Sequence, residues 1–137
     1  MELNTESTDQ VVLLITNAPS ELLAKRIAHK AVEHGLAACV NLGTPTLSMY
    51  MWQDELKSAT EVPLTFKTTG AQVLQLMEHI KAIHPYEVPE IIVVPIIAGL
   101  EDYVQWIKDC TQDSQDGQEG HDDQGGQDTT DRTQDSN

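Results

Sequence analysis

Seven residues, His84-Pro85-Tyr86-Glu87-Val88-Pro89-Glu90, put an imidazole, a phenol and two carboxylates into one short stretch. Such groups can ligate a metal, line a small-molecule site or anchor a neighbouring subunit. Histidine ligates only in company, and His84 beside Pro85 also suits a helix C-terminus, where it favours the dipole. Cys39, within Ala37-Ala38-Cys39-Val40, offers a thiolate for a soft metal. Free cysteine is equally at home as a small buried hydrophobe. His29 and His34 are five apart on a helix, about 500° of rotation, so they are no metal pair. His121 with Asp122 and Asp123 lies in a polar tail and reads as solvated.

Glu61, Lys67, Glu87 and Glu90 are charged positions that can line a polar cleft or join an ion-pair network. Tyr50, Trp52, Tyr86, Tyr103 and Trp106 make up most of the aromatic set and read as interface anchors. The chain shows no glycine-rich phosphate loop and no recognisable Ser-His-Asp or Cys-His arrangement. Catalysis therefore has no candidate residue, and no enzyme activity is expected.

The positioning elements follow from periodicity. Val11-Val12-Leu13-Leu14-Ile15 is a β-branched apolar run and reads as a central strand buried on both faces. A helix follows from about Ser20 to His34, with Leu23, Ile27 and Ala31 on one side and Gly35 as its stop. Residues 36–42 read as a strand, interrupted by Gly43 and Pro45, and residues 46–52 as its continuation. Gln53 to Ser58 reads as a polar turn, and Thr60 to Thr69 as the returning strand. A second helix runs from Gly70, with Thr69 as its cap, to the stop at Pro85. Glu90 to Ile97 reads as the last strand, and Leu100, Tyr103, Val104 and Ile107 as one face of a short closing helix.

The order β-α-β-β-α-β points to an α+β, ferredoxin-like sandwich with two helices on one face of an antiparallel sheet and an extra C-terminal helix. The other sheet face, and a long hairpin, leave edges that association with further copies would cover.

Of 22 acidic residues, 8 fall in residues 111–137 beside a lone Arg132. That tail has no aliphatic or aromatic residue and reads as disordered, as do residues 1–8. The domain is accordingly 9–110. A net charge of −14 argues against nucleic acid and anionic membrane as partners. No apolar run reaches the ~20 residues of a membrane span. The N-terminal segment lacks a signal-peptide pattern, and two cysteines are too few for a disulfide framework. A cytoplasmic location is the expectation.

Several motifs in order then resemble the CutA family, the divalent-cation tolerance proteins. They are Leu36-Ala37-Ala38-Cys39-Val40-Asn41, Tyr50-Met51-Trp52, Glu61, Lys67-Thr68-Thr69, His84 to Ile91, and Gly99 with Tyr103 and Trp106. The resemblance implies a ferredoxin-like subunit in a homotrimer, a link to copper and other divalent metals, and no established reaction. It also implies an intersubunit cleft drawn from Trp52, Glu61, Lys67, Tyr86, Glu87, Glu90, Tyr103 and Trp106. Relatives credited with copper binding carry a cysteine after the first strand and paired histidines before the proline. Thr16 and Ile83 stand at those positions here, which leaves His84 and Cys39 as the metal candidates. The architecture is similar to PII-type signalling trimers, so a small anionic metabolite or a protein partner in the clefts is the alternative. A structural or anchoring trimer is a third reading.

Overall fold

The computed structural model describes residues 9–112, arranged as β1 (Val11–Ala18), α1 (Glu21–Glu33), β2 (Cys39–Leu42), β3 (Thr46–Trp52), β4 (Glu55–Thr69), α2 (Gly70–Ile83), β5 (Ile91–Pro95) and α3 (Glu101–Gln112). The sheet runs β2-β4-β1-β5, all antiparallel, with β3 paired to the first half of β4. This is the expected ferredoxin-like arrangement with its added helix.

Alternation decides which side of the sheet is core. Val12, Leu14, Thr16 and Ala18 of β1 and Val62, Leu64, Phe66 and Thr68 of β4 are buried. The apolar members pack with Ile27 and Ala31 of α1 and Val73, Leu76 and Ile80 of α2. Burying a side chain such as Leu14 or Phe66 contributes about 1.5–3 kcal/mol each. Leu13 and Ile15 point the other way and are only half-buried. So β1 is central, as expected, but is not buried on both faces. The opposite face is covered only at one end, where Ile107 of α3 packs on Val11 and Ala38.

Both helices stop where the chain chemistry demands. The Ser20 hydroxyl accepts from Leu23 N–H at 3.2 Å at the start of α1. At its end Gly35 takes φ 74°, and Gly35 and Leu36 donate back to Val32 and Ala31, a Schellman closure. Thr69 holds the N-cap position of α2 with extended backbone, but its side chain makes no cap hydrogen bond. His84, preceding Pro85, has ψ 134° and ends α2.

The boundaries differ from the sequence reading in four places: β2 begins at Cys39 rather than residue 36, β5 spans Ile91–Pro95 rather than Glu90 to Ile97, and the hairpin turn and the end of α3 also shift. The hairpin turn is only Gln53-Asp54, with φ 52° and 68°, and β4 begins at Glu55. Residues 55–58 mix Glu55, Lys57 and Ser58 with a single Leu56 because both faces of the strand are exposed there, not because they turn. Paired positive-φ residues are the mark of a tight two-residue hairpin, and Gln-Asp lacks the usual Asn-Gly signature. At the other end α3 continues through Thr111 and Gln112. Thr111 is fully buried; its hydroxyl donates to Ile107 O, and Gln72 Nε2 donates to its carbonyl. The remaining residues expected to be disordered, 1–8 and 113–137, lie outside the described range.

Gly43 marks the break between β2 and β3. Its N–H donates to Pro63 O at 2.9 Å, and a Cβ there would come within 2.9 Å of Pro63 Cγ. This close approach lets β2 pair with one half of β4 while β3 follows the other half.

Candidate ligand-binding cleft

Glu61 sits where β4 passes from the projecting hairpin into the main sheet, opposite Thr46. It is 9% exposed. Its Oε1 accepts from the Ser48 hydroxyl at 2.9 Å, and its Oε2 from the Tyr86 hydroxyl at 3.0 Å. Ser48 faces Ala59, so its contact with Glu61 is the diagonal one expected across an antiparallel pair. Tyr86 comes from the loop between α2 and β5. Partial burial pushes its phenol above the usual value, and the Glu61 carboxylate adds to the rise by hydrogen bonding and charge. Among the described residues no Lys, Arg or His lies within ion-pairing distance of Glu61.

His84 holds that loop in place. It is buried, and its ring lies 4.7 Å from that of Tyr86. The Tyr86 N–H donates to Nδ1 at 3.2 Å, so Nε2 carries the proton and donates to Asn17 O at 2.7 Å. The β1–β5 ladder ends at Thr16 with Ile91, so Asn17 lies one residue beyond it, and His84 supplies a donor there. The Asn17 side chain in turn donates to Glu90 Oε1 at 2.7 Å.

Between this loop and the hairpin lies a cavity of about 580 Å³. Trp52, Glu61, Tyr86, Glu87 and Glu90 line it, together with Asn17, Ser48, Met49, Tyr50 and Val88. Five of the eight expected cleft residues therefore share one wall system. The other three form a second group. Lys67 donates to Asn41 Oδ1 at 2.8 Å and lies 5.9 Å from the centre of the Tyr103 ring. Tyr103 stacks on Trp106 at 5.4 Å. Cys39 joins this second group, its thiol 3.7 Å from the Tyr103 hydroxyl. Burial, then the Cys39 thiol, then Cys110 push the Tyr103 phenol up to about 12.

The two metal candidates fall in different groups. Cys39 is registered with Lys67, and Asn17, which His84 contacts, with Pro63. Four strand residues separate those positions, roughly 13 Å at the usual rise. Both ring nitrogens of His84 are already hydrogen-bonded. Thr16 is fully buried, with a hydroxyl lacking any hydrogen-bond partner. Among the described residues no three His, Cys, Asp or Glu side chains group closely enough to hold a metal ion. The donors among the described residues of one chain do not make a copper site.

Asn17 and Ser48 were not singled out from sequence as site residues. Strand alternation carried the signal for Ser48, which shares its face of β3 with Tyr50 and Trp52. Nothing local marked Asn17, whose partners lie 67 and 73 residues away.

Comparison with known proteins agrees with this architecture. A CutA homolog from Danio rerio is 44% identical over 102 residues, covering 74% of this chain and 68% of its own length. The divalent-cation tolerance protein CutA of Thermus thermophilus is 45% identical over 100 residues, or 73% of this chain and 96% of that protein. The solved structure of a divalent cation tolerance protein from Thermus thermophilus superposes with a TM-score of 0.72 at 40% identity, covering 74% of this chain and 98% of that one. The family model for the CutA1 divalent ion tolerance protein matches residues 12–110, and the chain belongs to that family.

Proposed function

We propose that this chain acts as a non-catalytic homotrimer in tolerance of, or response to, divalent metal ions, in a reducing compartment such as the cytoplasm. The observation that carries the trimer is the projecting hairpin. Leu47, Met49, Met51, Trp52 and Leu56 are all more than half exposed on it, and Ile92 of the edge strand β5 is 49% exposed. A patch of that extent marks an association surface. Neither Cys39 nor Cys110 is held in a disulfide among the described residues, which fits a reducing setting. For copper the better ligand is Cys39, whose thiol makes a single long contact, since metal at His84 would break two hydrogen bonds. Light scattering on the full chain is expected to give three chain masses; a stable monomer removes the trimer. Calorimetric titration with Cu(II) tests the metal: binding that Cys39→Ser abolishes supports it, and no binding at micromolar metal removes it.

A second reading rests on the cavity itself. A volume of about 580 Å³ with a few convergent polar groups and aromatic walls has the form of a small-ligand site, as in a PII-like regulatory trimer.

A further inference from the structure

Within that second reading, we propose that the cavity takes a small organic ammonium cation. The reasoning begins with Glu61. A carboxylate nine-tenths buried normally has a cationic partner, because an unpaired buried charge is costly. Here the partners are two hydroxyls, Ser48 and Tyr86, one on each oxygen. Each oxygen keeps a further acceptor site, and Glu61 lines the cavity. The missing positive charge can therefore come from a bound molecule.

The rest of the lining discriminates between ligand classes. Tyr50, Trp52 and Tyr86 present three aromatic rings to the same space, and aromatic faces attract alkylammonium groups. Glu87 and Glu90 add negative charge, while among the described residues of one chain no Lys, Arg or His lines the cavity. An anionic metabolite would meet three carboxylates and no counter-charge. A compact divalent metal fits no better, since these carboxylates do not converge into an ion-sized cluster. A cation whose charge is spread over several carbons matches both the spacing and the volume.

The test is calorimetric titration of the full-length protein with choline, in an amine-free buffer. The neutral isostere 3,3-dimethylbutanol and the dianion succinate serve as controls. Saturable choline binding is expected, with the neutral isostere roughly ten-fold weaker or worse, as a lost cation–π and carboxylate pairing implies. Glu61→Gln keeps the side-chain shape and an acceptor oxygen, and is expected to weaken choline by about ten-fold. Trp52→Leu is expected to weaken it several-fold in samples that light scattering shows to keep the oligomeric state of the parent, since Trp52 also lies on the association surface. Equal binding of choline and the isostere overturns the proposal, as does preferred binding of succinate or displacement of choline by Zn(II). A trimer that dissociates on Glu61→Gln without ligand also overturns it, because a neighbouring subunit's cation would then be the partner. Oligomeric state is read on the same samples. A trimer that ignores choline removes the cation and leaves the trimer; a monomer that binds choline does the reverse.

Discussion

Glu61 and Lys67 lie six residues apart on β4, on the same face of the strand, and each is the centre of a polar group. Around Glu61 the contacts are short and directed: two hydroxyls on the carboxylate, an imidazole used at both nitrogens, and an amide on Glu90. Around Lys67 one contact is as short, its amine on Asn41 Oδ1 at 2.8 Å, but the rest are looser: a thiol at 3.7 Å from the Tyr103 hydroxyl, the Lys67 amine 5.9 Å from that ring's centre, and a stacked indole. The first group fixes a loop against a strand end and leaves a cavity beside it. The second lays one end of α3 over the half-open sheet face. Geometry of the first kind suits recognition, because its acceptors are held in place before any ligand arrives. The second is packing that happens to use polar atoms.

On that contrast the largest single effect comes from the histidine. His84→Ala removes the donor to Asn17 O and the acceptor for Tyr86 N–H, and leaves a gap under the Tyr86 ring. A loss of about 2–4 kcal/mol in denaturant unfolding is expected, as for other buried polar groups deprived of partners. A loss below about 1 kcal/mol would place His84 with the merely packed residues.

Next comes the paired tyrosine comparison. Tyr86→Phe deletes a hydrogen bond to a buried carboxylate and should cost about 1–2 kcal/mol. Tyr103→Phe deletes only a long contact to sulfur and should cost less than about 0.5 kcal/mol. Equal costs measured side by side would erase the distinction between the two groups.

The sequence carried the fold because its signals were local or periodic. Alternation along Val62, Leu64 and Phe66, the helical spacing of Leu23, Ile27 and Ala31, and Gly35 as a stop each rest on neighbours within a few residues. The order of elements then left few topologies. The site was legible as residue types but not as a partition. Glu61 and Lys67 are grouped in the sequence because the family resemblance implies one cleft between subunits, which can draw them from different chains; the partition here is that of a single chain. Only long-range contacts, Tyr86 across 25 residues and Tyr103 across 64 from Cys39, divide them. The short turn at Gln53-Asp54 was hidden for another reason: exposed strand and turn have the same polar composition.

The smallest effect, and the sharpest probe of the second group, is alkaline titration. Tyr103 holds its proton from the ordinary phenol value of 10 up to about 12, chiefly because it is partly buried, and secondarily because of the Cys39 thiol. The folded chain thus keeps a proton that the unfolded chain has lost. Below pH 10 both states are protonated and the favourable term is intact; as pH rises from 10 towards 12 the term drains away. Tyr103 is 42% exposed, so solvent screens the effect and the slope is shallow. Absorbance titration of the tyrosines should show one of the three ionising last, and Tyr103→Phe should delete that step. Cys39→Ala should move it only part of the way down, because burial, the leading cause, remains. A full return to the ordinary value in Cys39→Ala would mean that the thiol governs Tyr103. The second group would then be a directed contact like the first.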